Sequence, residues 1–461
     1  MSMEALFAAQ RAASRRDPAP GATARQNSLR RLERLVVEHD EELIAAIDAD
    51  FGGRAHAETE LLEIVPTLRA LRHARRHVAG WMKPERRSVE WLFLPGRNVL
   101  RHEPLGVIGI IAPWNYPLFL TLGPLCDVLA AGNRAMLKPS ELTPAFSALL
   151  ARLIAEAFPP DEVTVITGGV DVARGFSRLP FDHLVFTGST AVGREVMQAA
   201  AANLTPVTLE LGGKSPAIVA LDYSVAEAAR SIAFGKFLNA GQTCIAPDYA
   251  LAPASSVDAF AEAALAHVRA AYPDPGANPD YSAIISPRHR ARLREMLEEA
   301  RTGGARILAS DELPADSNRF APTLVVNPPP ECRLMQEEIF GPILPVVAYR
   351  DMDEALDFVR RRERPLALYL FTHDRAVERQ VLDGVTSGGV TLNGALLHIA
   401  QDALPFGGIG PSGTGAYHGH DGFLRFSHAR AVHKVGAINM FERMGPPWGR
   451  LARLLAGIHR R

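Results

Sequence analysis

Residues 183–202 read HLVFTGSTAVGREVMQAAAA, and the hydrophobic period changes inside them. A β-branched and aromatic run ends at Phe186, which reads as a buried strand. Gly188 permits a tight turn. Ser189 and Thr190 can cap a helix whose free N–H groups would face a phosphate. Gly193 lets that helix approach a strand or a cofactor closely. An ordinary strand-to-helix turn is the plain alternative. Similar units flank the stretch: strands GVIGIIAP (106–113), RAMLKP (134–139) and EVTVITG (162–168), with a helix over 143–157. This alternation predicts an α/β fold built of parallel βαβ units with right-handed crossovers.

A second series begins after TPVTLELGGKSPAIVA (205–220). Helices are expected over 224–238, 256–271, 288–301 and 353–362, and strands at FAPTLVVN (320–327) and PILPVVAY (342–349). The series reads as a second α/β domain. Ahead of both, residues 26–48 carry Leu29, Leu32, Leu35, Val36, Leu43 and Ile47 in an amphipathic helical pattern, and two more helical stretches are expected over 57–79. SVEWLFLPGRNVLRHEP (88–104) reads as a hairpin-like strand pair. GGIGPSG (407–413) is a formal G-x-G-x-x-G match, but Pro411 and the missing strand–loop–helix context make it turn chemistry rather than a dinucleotide fingerprint.

The 461 residues are 47% hydrophobic and 22% charged, with 50 basic against 51 acidic side chains. That balance argues against nucleic acid or a membrane surface and for a small-molecule partner. Cys126, Cys244 and Cys332 lie far apart and form no C-x-x-C pair, so no metal site and no disulfide framework is expected. A reducing, cytoplasmic setting fits. The first residues lack signal-peptide features, and no apolar run approaches the roughly 20 residues of a membrane span.

Cys244 sits in NAGQTCIAPDY (239–249). A lone cysteine is commonly inert filler. Three other elements favour a nucleophile. Glu210, in LELGGKSP (209–216), is a carboxylate entering an apolar strand end, and burial would raise its pKa toward that of a general base. Asn115, in PWNYP (113–117), can aim an amide at a developing oxyanion. LKPSE (137–141) offers Lys138 and Glu141 to ribose or phosphate groups just beyond a strand, although a solvated loop would look the same. Aldehyde oxidation uses all of these. Thiolate addition makes an oxyanion that expels hydride to a nicotinamide, and a base-activated water then hydrolyses the thioester.

These motifs, with FTGSTAVG (186–193), EEIFGPILPV (337–346) and LPFGGIGPSG (404–413), together resemble the NAD(P)-dependent aldehyde dehydrogenase superfamily, in the family's order, over residues 26–435. The resemblance implies Cys244 as nucleophile, Glu210 as general base and Asn115 as oxyanion-hole amide. It implies cofactor contacts from Pro113, Trp114, Lys138 and Glu141. Others would come from Thr187, Gly188, Ser189, Val192 and Gly193, and from Leu211, Glu338 and Phe340. The implied architecture is a Rossmann-like cofactor domain (1–83 and 104–209), an α/β catalytic domain (210–404), a small β oligomerisation extension (84–103 and 405–435) and a C-terminal tail (436–461).

QTCIAPDY resembles the class 3 branch, which implies a homodimer. Residues 388–419 are closer still to coniferyl aldehyde dehydrogenases, which implies a bulky aromatic aldehyde. Medium- or long-chain aliphatic aldehydes are the alternative. Gly394–Ala395 departs from the pattern, where a polar residue usually follows the asparagine, and reshapes the substrate mouth. Glu141 favours NAD by repelling a 2′-phosphate, while Lys138 would tolerate NADP. A CoA-acylating relative has no use for Glu210, and a non-catalytic homologue no use for the four competent positions. In the tail, Trp448, Leu451, Leu454, Leu455 and Ile458 are interleaved with arginines. They suggest an amphipathic helix over the substrate entrance or a partner subunit, with a peripheral membrane contact or a loosely ordered tail as alternatives.

Overall fold

The computed structural model describes residues 1–458 and contains, among them, three sheets. The first runs in the order Gly413–Thr414, Val207–Glu210, His183–Thr187, Val107–Ile111, Arg134–Lys138 and Val163–Val165. All neighbours pair in parallel except Gly413–Thr414, which is antiparallel to Val207–Glu210. Strand order reverses between Val107–Ile111 and His183–Thr187, and a crevice opens at the carboxyl ends of such neighbours. The PWNYP and TGST segments emerge there.

The second sheet runs Arg306–Ala309, Thr323–Val326, Ile343–Tyr349, Tyr249–Pro253, Pro216–Val219, Ala367–Phe371 and Gly389–Leu392. It is parallel except at Arg306–Ala309. Its central strands Pro216–Val219, Tyr249–Pro253 and Ala367–Phe371 are buried on both faces, as apolar parallel strands covered by helices should be. The third sheet is antiparallel: Glu85–Arg87, Arg97–Pro104 and Ser427–Lys434.

Several expectations change. The pattern over 26–48 is two helices, Ala22–Glu38 and Asp40–Phe51, broken at His39. Asp40, Glu41 and Glu42 in the new first turn favour the restart electrostatically. The two stretches over 57–79 form one continuous run, with a π turn at Glu60–Ile64 between His56–Thr59 and Val65–Trp81. Pro66 has no N–H, and the wider turn accommodates the missing bond. Of residues 405–435 only Ser427–Lys434 joins the third sheet, while Gly413–Thr414 joins the first, where Gly413 pairs with Glu210. Glu210 itself ends a strand of the first sheet, and the second sheet begins at Pro216. Helix Met3–Arg16 was not expected; Ser2 caps it, and Gln10 donates to the carbonyls of Ala135 and Pro160 at 2.9 and 3.1 Å. The tail forms the helix Arg450–Ile458; its Leu455 and the preceding Trp448 line an apolar hollow with Leu92, Phe441 and Met444. Residues 459–461 lie outside the described residues.

One buried ion pair ties the N-terminal helices to the crevice. Arg54 and Glu63 meet at 2.9 Å with both side chains fully buried. Arg54 also donates to the Asn115 carbonyl at 2.9 Å, and Glu63 accepts from the N–H groups of Leu118 and Phe119 that open helix Phe119–Ala130. Removing one member strands a buried charge. Arg54→Met is therefore expected to lower unfolding free energy by about 3–5 kcal/mol, measured by urea denaturation.

Candidate active site

The segment before Cys244 is bent by three successive left-handed residues, Asn239 (φ 50°), Ala240 (φ 49°) and Gly241 (φ 73°). Only the third is glycine, and a side chain there would strike the Gly341 carbonyl. Left-handed backbone at the first two costs on the order of 1–3 kcal/mol each and needs outside support. The Asn239 N–H donates to Glu58 at 2.8 Å, and its side-chain amide donates to the Asn115 carbonyl at 3.0 Å. Gln242 Nε2 donates to the carbonyls of Asn239 and Ala283 at 3.0 and 2.9 Å. Tyr116 and Thr243 hydroxyls meet at 2.6 Å. The turn is thus pinned to the loop carrying Asn115, whose Nδ2 donates to the Gln242 carbonyl at 3.1 Å.

Cys244, Asn115 and Glu210 line one cavity of about 540 Å³, together with Leu211, Glu338 and Phe340. A second cavity of about 800 Å³ holds Lys138, Glu141 and Val192. Pro113, Trp114, Thr187, Gly188 and Ser189 line both, so the two make one continuous cleft over the crevice of the first sheet. Gly193 lines neither. It packs behind the cleft, where a side chain would collide with Leu211. Its role in the structure is helix-to-strand approach rather than direct contact.

The electrostatics follow from burial. Glu210 is 3% exposed, and neither carboxylate oxygen has a hydrogen-bond partner. Desolvation pushes its pKa well above the usual carboxylate range, and the Arg425 guanidinium opposes this. Burial pushes the Cys244 thiol up to about 12, with the carboxylates of Glu338 and Glu210 adding to the rise and nearby backbone N–H groups opposing it. Burial likewise lifts Glu338 to about 8, aided by Asp248 and opposed by the Gly213 N–H and Lys214. The buried Lys138 ammonium donates to the Pro139 carbonyl at 2.8 Å and stands 3.5 Å from Glu141. Burial lowers its pKa and Glu141 opposes the shift.

The cleft suits a dinucleotide. Ser189 caps helix Thr190–Ala201, which opens onto the larger cavity, with its side chain accepting from the Val192 N–H at 3.4 Å. A side chain on Gly212 would occupy the position of the Glu338 carboxylate, so that carboxylate closes directly on backbone. Phe340 adopts φ 49° and meets Trp114 edge-on with ring centroids 5.4 Å apart.

Two contributors escaped the sequence. His289 lines both cavities, and its ring lies 5.1 Å from that of Trp114. Arg292 donates to the carbonyl of Ile339, at 2.8 Å, and to that of Glu338, holding the loop that presents Glu338 and Phe340. Both sit in PRHRARLREM (287–296), where a basic helix face carries no motif to separate ligands from solvated charges.

A dinucleotide-sized cleft on a doubly wound sheet, closed by a second sheet carrying a thiol beside an amide and an unpartnered carboxylate, defines an α/β oxidoreductase. The chain belongs to the aldehyde dehydrogenase family, whose model matches residues 2–432. It is 51% identical over 448 residues to the Pseudomonas aeruginosa protein named "Probable coniferyl aldehyde dehydrogenase", covering 97% of this chain and 94% of that one. A structure of Staphylococcus aureus AldH in a substrate-bound state is similar at TM-score 0.94 and 36% identity, covering 99% of this chain and 100% of that one. A Mycobacterium tuberculosis aldehyde dehydrogenase complexed with NAD+ is similar at TM-score 0.83 and 28% identity, over 93% and 89% of the two chains. The protein is thus an NAD(P)-dependent aldehyde dehydrogenase of the class 3 type. Among the described residues no helix is long and apolar enough to cross a membrane.

The thiol chemistry gives a test that needs no substrate. Only the thiolate alkylates, and a pKa near 12 leaves little of it at neutral pH. Iodoacetamide labelling of Cys244 in the free protein is expected to accelerate about tenfold per pH unit between pH 7 and 9, read by peptide mass spectrometry. A pH-independent rate would show a thiolate already formed.

Proposed function

We propose that this enzyme oxidises a bulky aromatic aldehyde of the coniferyl type to its carboxylic acid, with NAD preferred, through a thioester on Cys244. The observation that carries this is the meeting of Cys244, Asn115 and Glu210 in one cavity continuous with the dinucleotide-sized cleft.

Each residue has a task its surroundings support. The Cys244 sulfur adds to the aldehyde carbon. Its proton is given up to bulk water before the attack, and the raised pKa of Glu210 suits that carboxylate to the base's task that follows. Asn115 Nδ2 and the Cys244 backbone N–H donate to the oxyanion, and the amide is held by its bond to the Gln242 carbonyl. Bound nicotinamide supplies the hydride acceptor. Lys138 and Glu141 would bind the adenosine ribose, the Gly188–Ser189 turn the pyrophosphate, and Glu338 and Phe340 the nicotinamide ribose and ring. Glu210 then takes a proton from the water that attacks the thioester. Its lack of hydrogen-bond partners leaves both oxygens available to that water.

The coniferyl-type substrate is supported by the likeness to the Pseudomonas aeruginosa relative and by the aromatic side chains near the thiol. Phe406 belongs to the apolar cluster on which Cys244 packs, and the His418 ring is 6.0 Å from Phe119 and 5.5 Å from Phe406. Ala395 seats closely on Gly235 of the adjoining helix, where a larger residue would clash. A homodimer in a reducing cytoplasm completes the reading.

Cys244→Ala is expected to abolish NADH formation from coniferaldehyde. Glu210→Gln is expected to retain a stoichiometric NADH burst while steady turnover falls by about 10²–10⁴-fold, followed by stopped-flow absorbance. Normal turnover in either variant would reject the role assigned. In a panel of aldehydes, kcat/KM should favour aromatic over aliphatic substrates of similar length. Glu141→Gln should raise the NADP to NAD ratio of kcat/KM by removing a charge that repels the 2′-phosphate.

A further inference from the structure

Arg425 closes helix Gly419–Arg425 and points back at the strand that carries Glu210. Its Nε donates to Thr208 Oγ1 at 2.8 Å and its Nη2 to the Val207 carbonyl at 2.7 Å. Side chains two apart on a strand share a face, so Thr208 and Glu210 project on the same side, about 7 Å apart along the chain. A guanidinium bonded to Thr208 Oγ1 therefore stands beside the Glu210 carboxylate without touching it.

The neighbours fix that cation in place. Thr208 Oγ1 also meets His183 Nε2 at 2.8 Å. The hydroxyl accepts from Arg425 and shares a hydrogen bond with the His183 ring. Burial and Arg425 hold the His183 pKa down at about 3. Gly415, at φ +84°, leaves the room the guanidinium occupies, since a side chain there would clash with it. The same loop pairs Gly413 with Glu210 in the sheet, and the Gly188 N–H donates to the Glu210 carbonyl at 3.0 Å. The other groups around Glu210 are the Cys244 thiol and the Tyr417 phenol, with Asp127 behind the latter and Glu338 beyond the sulfur; His289, Arg292 and Glu337 line the same cavity. Of these Arg292 carries a positive charge, and it is turned to the carbonyls of Ile339 and Glu338.

We propose that Arg425 is a positioning residue for the general base: through its clamp on Thr208 and Val207 it holds one fixed positive charge beside Glu210, keeping that carboxylate ionised, and so competent to activate water, at a lower pH than the apolar strand end would otherwise permit. The inference rests on Glu210 being the base. The sign follows directly: removing the cation disfavours the carboxylate, so the acid limb of thioester hydrolysis moves to higher pH. One unit charge at that spacing of about 7 Å and an effective dielectric constant of about 20 corresponds to a shift of roughly 1–2 pH units.

The test uses the acyl-enzyme formed from p-nitrophenyl acetate, which needs the thiol and the base but no dinucleotide. After the nitrophenolate burst, the steady phase is followed from pH 5 to 9 in wild type, Arg425→Gln, Arg425→Lys, Thr208→Val and Glu210→Gln. The expected result is an acid limb displaced upward by roughly 1–2 units in Arg425→Gln, displaced less in Arg425→Lys, which keeps the charge, and absent in Glu210→Gln. A limb that stays in place in Arg425→Gln while the rate falls evenly at every pH would overturn the proposal and leave Arg425 a purely structural clamp. Should Arg425→Gln fail to fold, Thr208→Val decides: freeing the guanidinium moves the limb upward if the proposal holds, and an unmoved limb overturns it. A limb that persists in Glu210→Gln instead removes Glu210 as the base, which is a different failure.

Discussion

The left-handed run Asn239–Gly241 is the constraint on which the site depends. It turns the chain so that Cys244 faces the crevice of the other sheet, and two of its three residues pay a backbone cost. That cost is met by hydrogen bonds from distant segments: Glu58 to the Asn239 N–H, the Asn115 carbonyl to the Asn239 amide, and Ala283 to Gln242. The same bonds that hold the strained turn also fix the distance between the amide and the sulfur. Strain, support and geometry are one arrangement.

Behind it lies a layer of buried charge, much of it partnered, although Arg54 Nε and Nη2 and Lys236 Nζ find no hydrogen bond. Glu58 accepts from Ser282 Oγ at 2.6 Å as well as from Asn239. Arg54 is shared between Glu63 and the Asn115 carbonyl, and its guanidinium packs 4.9 Å from the Phe51 ring and 5.0 Å from the Tyr116 ring. On the far side Lys214 binds Asp248 and the carbonyls of Leu334 and Glu337, while Asp248 accepts from the Ile339 N–H at 3.1 Å. That cluster supports the loop of Glu338 and Phe340 as the first supports Cys244. Glu210 is buried with both carboxylate oxygens unpartnered. A buried carboxylate without hydrogen bonds holds its proton more tightly than an exposed one.

The alternation of strand and helix, the turn at Gly188–Ser189 and the small-residue motif that bears Cys244 were legible in the sequence because each is local: a period change, a turn residue, a run of small residues. Convergence was not. Arg54, Glu58 and Glu63 lie in a stretch, RAHAETELLE (54–63), that reads as an ordinary solvated helix, and only tertiary contact buries them. Helix Phe119–Ala130 is buried almost throughout and carries Pro124, so it shows no amphipathic period to find it by. The recruitment of Gly413–Thr414 to the first sheet was hidden because a two-residue strand rich in glycine has no pattern. Gly193 was legible as a position of close approach, and the neighbour it approaches is Leu211.

Glu210 terminates a strand of the first sheet, whereas Cys244 precedes a strand of the second, and residues 211–215 are the short covalent span between the sheets. The gap between base and sulfur is therefore an interdomain dimension. Misplacing reacting groups by about 1 Å can cost on the order of 10²-fold in rate, so rigidity at the seam between the two halves is itself a catalytic property. Mutations that loosen the seam would be felt as lost turnover long before the protein unfolds.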